Sequence, residues 1–170
     1  MTRIVILGSG FAALTAIRKL RQLRVDADIT VVSPRNELVY LPSLIWLPSG
    51  ERKGEDLRIP LAGFLGRMRV PGNRGSVLQV LDGGRRVVTD TGELDNDILV
   101  VATGGRYLRK LPGIEHALIP CEGIATAEAI GQRLAAMDGG TLALGFASNP
   151  KEPGAVRGGP MFQFLFGIDT

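Results

Sequence analysis

The sequence predicts an α/β fold built on a parallel sheet, and three observations carry that prediction. An apolar run, Ile4-Val5-Ile6-Leu7, passes straight into Gly8-Ser9-Gly10-Phe11-Ala12-Ala13, a G-x-G-x-x-A pattern. Leu14, Ile17, Leu20 and Leu23 then recur at helical spacing, and Asp28-Ile29-Thr30-Val31-Val32 reads as a second strand. Together these make a strand–helix–strand unit of about thirty residues. Much later a second apolar run, Ile98 to Val101, ends in Ala102-Thr103-Gly104.

The first turn is the most informative. A strand that stops at glycines and becomes a helix is an anion site, because helix N-terminal N–H groups lack intrahelical partners and carry partial positive charge. Gly8 supplies the tight turn, Gly10 has no Cβ to block a pyrophosphate, and Ala13 lets the helix pack closely on the sheet. A dinucleotide follows: FAD, NAD or NADP. Between the apolar positions of the helix, Arg18, Lys19, Arg21 and Arg24 read as a solvated face.

Residues 34–75 are rich in Pro, Gly and Arg and lack periodicity. Within them Val39 to Pro48 is apolar, and Pro42 and Pro48 argue against an uninterrupted helix. Two readings stand open for this stretch, a buried loop on the sheet or a wall beside a cofactor. Residues 76–101 read as a β-meander: a strand over Ser76–Leu81, a turn at Asp82-Gly83-Gly84, a strand over Arg85–Thr89, and a turn at Asp90-Thr91-Gly92-Glu93. Asp95 and Asp97 are expected to set a turn or solvated edge. Ile98–Val101, apolar throughout, reads as a central parallel strand. The Ala102-Thr103-Gly104 that follows lies where a parallel sheet presents its ligand.

Ile124 to Met137 reads as a helix ended by Asp138-Gly139-Gly140, Thr141 to Phe146 as a strand, and Met161 to Phe166 as an apolar helix. These open a second α/β unit that nothing completes, so the expectation is the N-terminal portion of a longer protein. The expected division is 1–116 for a nucleotide-binding domain and 117–170 for the start of a second one. If so, the Phe162–Phe166 segment is expected to be exposed, or covered by a homodimer or domain swap.

Composition excludes several classes. Twenty basic residues against 17 acidic ones leave a net charge of +3, too mild for a nucleic-acid binder, and aromatics are only 5%. One cysteine, Cys121, permits no intramolecular disulfide and reads as a small buried hydrophobe. His116, the single histidine, reads as a solvated loop residue. No Cys/His/Asp cluster has metal-ligand spacing. No signal peptide or membrane-spanning run is visible, so the expected location is cytoplasmic, at a membrane surface if the intact protein attaches peripherally.

The two motifs with the meander between them resemble the N-terminal part of FAD-dependent proteins of the pyridine nucleotide–disulfide oxidoreductase superfamily, over essentially the whole chain. Gly8, Gly10 and Ala13 match the first motif, and Ala102, Thr103 and Gly104 the second. Ser33-Pro34-Arg35, Tyr40-Leu41-Pro42-Ser43 and the 141–166 segment look most like sulfide:quinone oxidoreductases and the flavoprotein of sulfide-oxidising flavocytochromes. The resemblance implies a Rossmann-like FAD-binding sheet with an inserted meander and the start of a second, incomplete α/β unit. It implies FAD pyrophosphate on Gly8, Gly10, Phe11 and Ala12. Ser33, Pro34 and Arg35 would then lie near the adenosine ribose, Pro42 and Ser43 beside the isoalloxazine, and Thr103-Gly104 over the cofactor. Electrons would pass from sulfide or another small-molecule donor through FAD to a quinone. Two alternatives remain: a type II NADH:quinone oxidoreductase, and a non-catalytic module binding NADP or FAD. Three positions depart from the family pattern. Ser33 stands where a ribose-binding acid is expected, Arg157 about where a redox cysteine is expected, and Gly145 to Pro150 replaces a second glycine motif.

Overall fold

The computed structural model describes residues 1–105, 109–146, 151, 152, 154 and 158–169. Residues Ala147–Pro150 and Arg157, which carry two of the departures above, lie outside the described residues. The chain divides into two compact units: one of residues 1–39 and 58–105, the other of 40–57 and 106–170.

The first unit is built on a four-stranded parallel sheet. β1 (Thr2–Leu7) pairs on one side with β2 (Ala27–Ser33) and on the other with β9 (Ile98–Val101). The short β5 (Gly72–Arg74) extends β2, giving the order β5-β2-β1-β9. The alternation of β1 explains its two covers. Ile4 and Ile6 face helix α1 (Phe11–Gln22) through Ala13 and Ile17, joined by Leu65 of helix α2 (Ala62–Met68). Val5 and Leu7 face the opposite way, onto Val87 and Leu94. Those belong to the antiparallel meander β6 (Val77–Leu81), β7 (Arg86–Thr89) and β8 (Gly92–Asp95). The sheet is therefore covered by helices on one face and by the meander on the other, as a two-sided core requires.

Several expectations change here. The stretch 34–75, which shows no periodicity in sequence, holds α2, β5 and an antiparallel pair, β3 (Glu37–Val39) with β4 (Arg58–Pro60). Each strand of that pair is three residues long, too short to show a period. Gly92–Asp95 is a strand rather than part of a turn, with Asp95 opposite Arg86 and ion-paired to it at 2.9 Å. Asp82 and Glu93 also approach Arg86, and the hydrogen bond that Arg86 Nε donates to Asp95 leads the causes that raise the guanidinium's pKa. β9 is parallel as expected but lies at the sheet's edge, with Ile98 48% and Val101 68% exposed. Among the described residues β1 is the one strand paired with it. Asp97 ties its start to β1, since Arg3 N–H donates to Asp97 Oδ2 at 2.7 Å and Asp97 N–H to the Arg3 carbonyl at 2.9 Å.

Arg21 leaves the solvated face assigned to it. Its guanidinium donates to the carbonyls of Met68 (2.9 Å), Ala27 (3.1 Å) and Arg69 (3.1 Å). It thereby satisfies carbonyls at the end of α2, where the helix has no donors of its own.

The second unit packs Ile45 and Trp46, from a 3-10 turn over Leu41–Trp46, against helices α3 (Ile124–Ala135) and α4 (Gly159–Ile168). Ile130 and Phe164 are the helices' buried contributions. Pro160 lies in the first turn of α4, where its missing N–H costs no intrahelical bond. Residues 141–146 form no strand, a correction with a plain cause. Apart from Leu144 they are exposed, and no strand of this unit lies beside them to complete a ladder among the described residues. Cys121 is partly buried and free, and His116 is exposed beside Glu115.

Candidate functional site

The candidate site is the C-terminal end of the parallel sheet in the first unit. Gly8 has φ +110°, a conformation open to glycine and strained for other residues. A Cβ there would fall on the carbonyl of Ala102. The first glycine of one motif and the alanine of the other thus occupy a single place in space. Ala102 N–H closes this contact by donating to the Leu7 carbonyl at 2.9 Å, and Gly8 N–H donates to the Val32 carbonyl at 2.8 Å. The ends of β1, β2 and β9 are drawn together around one turn.

Gly10 is different. Its φ of −81° is ordinary, and a Cβ there would meet nothing within 4 Å. The packing of the chain gives no reason for glycine at this position, whereas a ligand approaching the backbone does. Gly10 also precedes α1, which has no side-chain cap and no acidic residue in its first turn. The ladder of α1 begins with Leu14 N–H donating to the Gly10 carbonyl at 3.1 Å, so the Ala12 and Ala13 N–H groups precede it. An open glycine before an uncapped helix N-terminus fits a pyrophosphate. Ala13 is buried at the point where α1 meets the sheet.

At the end of β2, Ser33 is buried and its hydroxyl donates to the Arg35 carbonyl at 2.6 Å. Pro34 and Arg35 are exposed. Thr103 and Gly104 follow Ala102 and are exposed, with Gly104 at φ +78°. Gly8, Gly10, Phe11, Ala12, Ala13, Ser33, Pro34, Arg35, Ala102, Thr103 and Gly104 all belong to the first unit. Pro42 and Ser43 belong to the second, in its 3-10 turn.

Sequence reasoning missed two residues at this site. Ser9, between the glycines, donates its hydroxyl to the Glu37 carbonyl at 2.9 Å. Glu37 in turn receives Arg58 Nη1 at 2.5 Å and Arg35 Nη1 at 3.5 Å on one oxygen, Oε1. Glu37 and Arg58 are diagonal neighbours across β3 and β4, a pairing no local pattern could reveal. Among the described residues no group of His, Cys, Asp and Glu is arranged to hold a metal ion.

Comparison with known proteins adds a family. Residues 2–150 match the family described as pyridine nucleotide-disulphide oxidoreductase. The chain is 29% identical to the sulfide-quinone reductase of Aquifex aeolicus over 114 residues, 66% of this chain and 26% of that protein. The crystal structure of the sulfide:quinone oxidoreductase from that bacterium superposes with a TM-score of 0.71 at 26% identity, covering 79% of this chain and 32% of the other. An NADH dehydrogenase-like protein of Mycobacterium tuberculosis is 35% identical over 153 residues, 84% of this chain and 36% of that protein. A type II NADH:quinone oxidoreductase of Staphylococcus saprophyticus is 32% identical over 105 residues, 60% of this chain and 26% of that protein. The chain therefore spans about a quarter to a third of the length of these relatives.

Proposed function

The chain belongs to the pyridine nucleotide-disulphide oxidoreductase family, and from that membership we propose that it is the FAD-holding part of a sulfide:quinone oxidoreductase. The observation that carries this is the contrast at the glycine turn. Gly8 is required by the fold, because Ala102 fills its side-chain space, while Gly10 leaves an opening in front of the N-terminus of α1. One glycine joins the two motifs, and the other faces the ligand.

On this reading residues 1–116 form the flavin domain, and 117–170 open a second dinucleotide-binding-like domain. The N–H groups at the start of α1, from Phe11 and Ala12, bind the FAD pyrophosphate over Gly8 and Gly10. Ala13 keeps the helix close to the sheet. Ser33, Pro34 and Arg35 border the adenosine end, and Pro42 and Ser43 flank the isoalloxazine. Ala102, Thr103 and Gly104 close the site, with the Thr103 hydroxyl as a donor to the cofactor. The flavin, when bound, supplies the two-electron chemistry between donor and acceptor, and the protein supplies binding and orientation. Sulfide is the proposed donor and a quinone at a membrane surface the proposed acceptor. Among the described residues no helix is long and apolar enough to cross a membrane.

A second reading is supported by the relatives themselves. Similarity to NADH dehydrogenase-like and type II NADH:quinone proteins at 32–35% identity keeps NADH as the alternative donor. One experiment separates these. The purified chain is mixed with FAD, desalted, and followed in the visible under anaerobic conditions with sulfide or with NADH. Bleaching by sulfide supports the proposal, bleaching by NADH the alternative. A colourless desalted chain that binds NADP supports a non-catalytic module. Phe162, Leu165 and Phe166 are exposed on α4, so the same sample is expected to sediment as a dimer. A monomer at every concentration contradicts that pairing.

A further inference from the structure

Resting on the dinucleotide reading above, we infer that Glu37 is the carboxylate that accepts the adenosine ribose 2′-hydroxyl of the cofactor and sets its preference for an unphosphorylated ribose. In α/β dinucleotide sites an acid near the end of the second strand usually takes that hydroxyl. Here β2 ends on Ser33, followed by Pro34, and neither supplies a carboxylate. Ser33 is buried, and its hydrogen is already given to the Arg35 carbonyl. Asn36 has its amide beside Gly72 on β5. The first carboxylate after β2 is that of Glu37, and its charge makes it the strongest acceptor there.

Three observations put Glu37 in the right place. Its main chain is tied to the glycine turn, since the Ser9 hydroxyl donates to the Glu37 carbonyl. Leu38 packs onto the sheet's helix-side core, so strand alternation turns Glu37 away from that core. The side chain is 21% exposed, accessible but held. Its orientation is fixed by two guanidiniums that both close on Oε1, from Arg58 at 2.5 Å and Arg35 at 3.5 Å. The hydrogen bonds of the described residues leave Oε2 open as an acceptor.

The same geometry explains discrimination. Arg35 and Arg58 alone would attract a 2′-phosphate. With Glu37 between them one of the two positive charges is offset, and a phosphate on the ribose would meet a carboxylate at close range. A hydroxyl can donate to that carboxylate, and a phosphate dianion cannot.

The test compares FAD with FAD lacking the adenosine 2′-hydroxyl by flavin fluorescence, on the native chain, Glu37→Gln and Glu115→Gln, an exposed carboxylate outside the site. The native chain is expected to bind FAD roughly tenfold more tightly than the deoxy form, the worth of one charge-assisted hydrogen bond. Glu37→Gln should cut that ratio severalfold, and Glu115→Gln should keep it. A Glu37→Gln chain that retains the ratio, or a Glu115→Gln chain that loses it, overturns the assignment. Calorimetry with ADP-ribose and 2′-phospho-ADP-ribose reads the same residue without a flavin. The native chain should prefer ADP-ribose, and Glu37→Gln, with Arg35 and Arg58 released, should prefer the phosphorylated form. Failure of FAD binding with the ADP-ribose preference intact would count against the flavin reading and not against Glu37. Equal binding of the two ADP-ribose forms by the native chain overturns the assignment.

Discussion

Gly8 and Gly10 occupy equivalent-looking places in one short motif, yet the forces on them differ. At Gly8 a side chain must adopt a positive φ and also displace the Ala102 carbonyl. Backbone strain of this kind costs about 1–3 kcal/mol before the collision is counted. Gly8→Ala is therefore expected to lower the melting temperature and weaken FAD binding together. At Gly10, the residue before α1, the backbone is extended and the space is open, so Gly10→Val should lose only the few degrees of a poorer helix cap. Its β-branched side chain would stand where the pyrophosphate is proposed to approach, and FAD affinity should fall about tenfold or more. Thermal melts set beside FAD titrations check both variants. If Gly10→Val binds FAD normally, the opening at Gly10 has nothing to do with the ligand.

Elements in this fold are joined by a few polar clamps as well as by the core. Arg21 carries α1 across to the end of α2 with three hydrogen bonds from one guanidinium. Arg21→Ala should cost about 1–3 kcal/mol in urea unfolding, and Arg21→Lys nearly as much, since an ammonium cannot reproduce the planar fork. Arg18→Ala, on the exposed side of the same helix, serves as the control and should cost little. Loss of equal size at both positions would contradict the clamp. Asp97 joins β9 to β1 in a pH-dependent way. The Arg3 backbone N–H is the largest cause holding its carboxyl below its ordinary 3.8, with the Arg3 and Arg85 cations adding and desolvation opposing. A depressed acid stabilises the fold above its unfolded pKa, and that contribution is lost as pH falls through the lower folded value. The native chain should thus out-melt Asp97→Asn near neutrality, and the gap should close as the pH drops below about 4. A gap independent of pH would contradict this.

At the scale of the whole molecule, legibility followed the range of the interactions involved. β1, α1 and β2 were readable because their periods and the glycine turn are local. The convergence of Gly8 with Ala102 was readable as a pair of motifs, although the reason for it, a carbonyl in the space of a missing Cβ, needed the structure. β3 and β4 were not readable, because three-residue strands are defined by their partner and by bonds such as Leu61 N–H to the Asn36 carbonyl. The edge position of β9 was missed for a related reason: an all-apolar run reports hydrophobicity, and it says nothing of how many neighbours the strand has. Thr141 to Phe146 has strand composition without a strand beside it. Glu37 was invisible for the same cause, since its partners Ser9 and Arg58 lie far from it in sequence.

Whether the turn at Gly8 and Gly10 holds FAD, as proposed, is read from a visible absorbance spectrum of the purified chain mixed with FAD and then desalted. Flavin bands should elute with the protein from the native chain and not from Gly10→Val. A native chain that is folded by circular dichroism and emerges colourless would contradict the proposal.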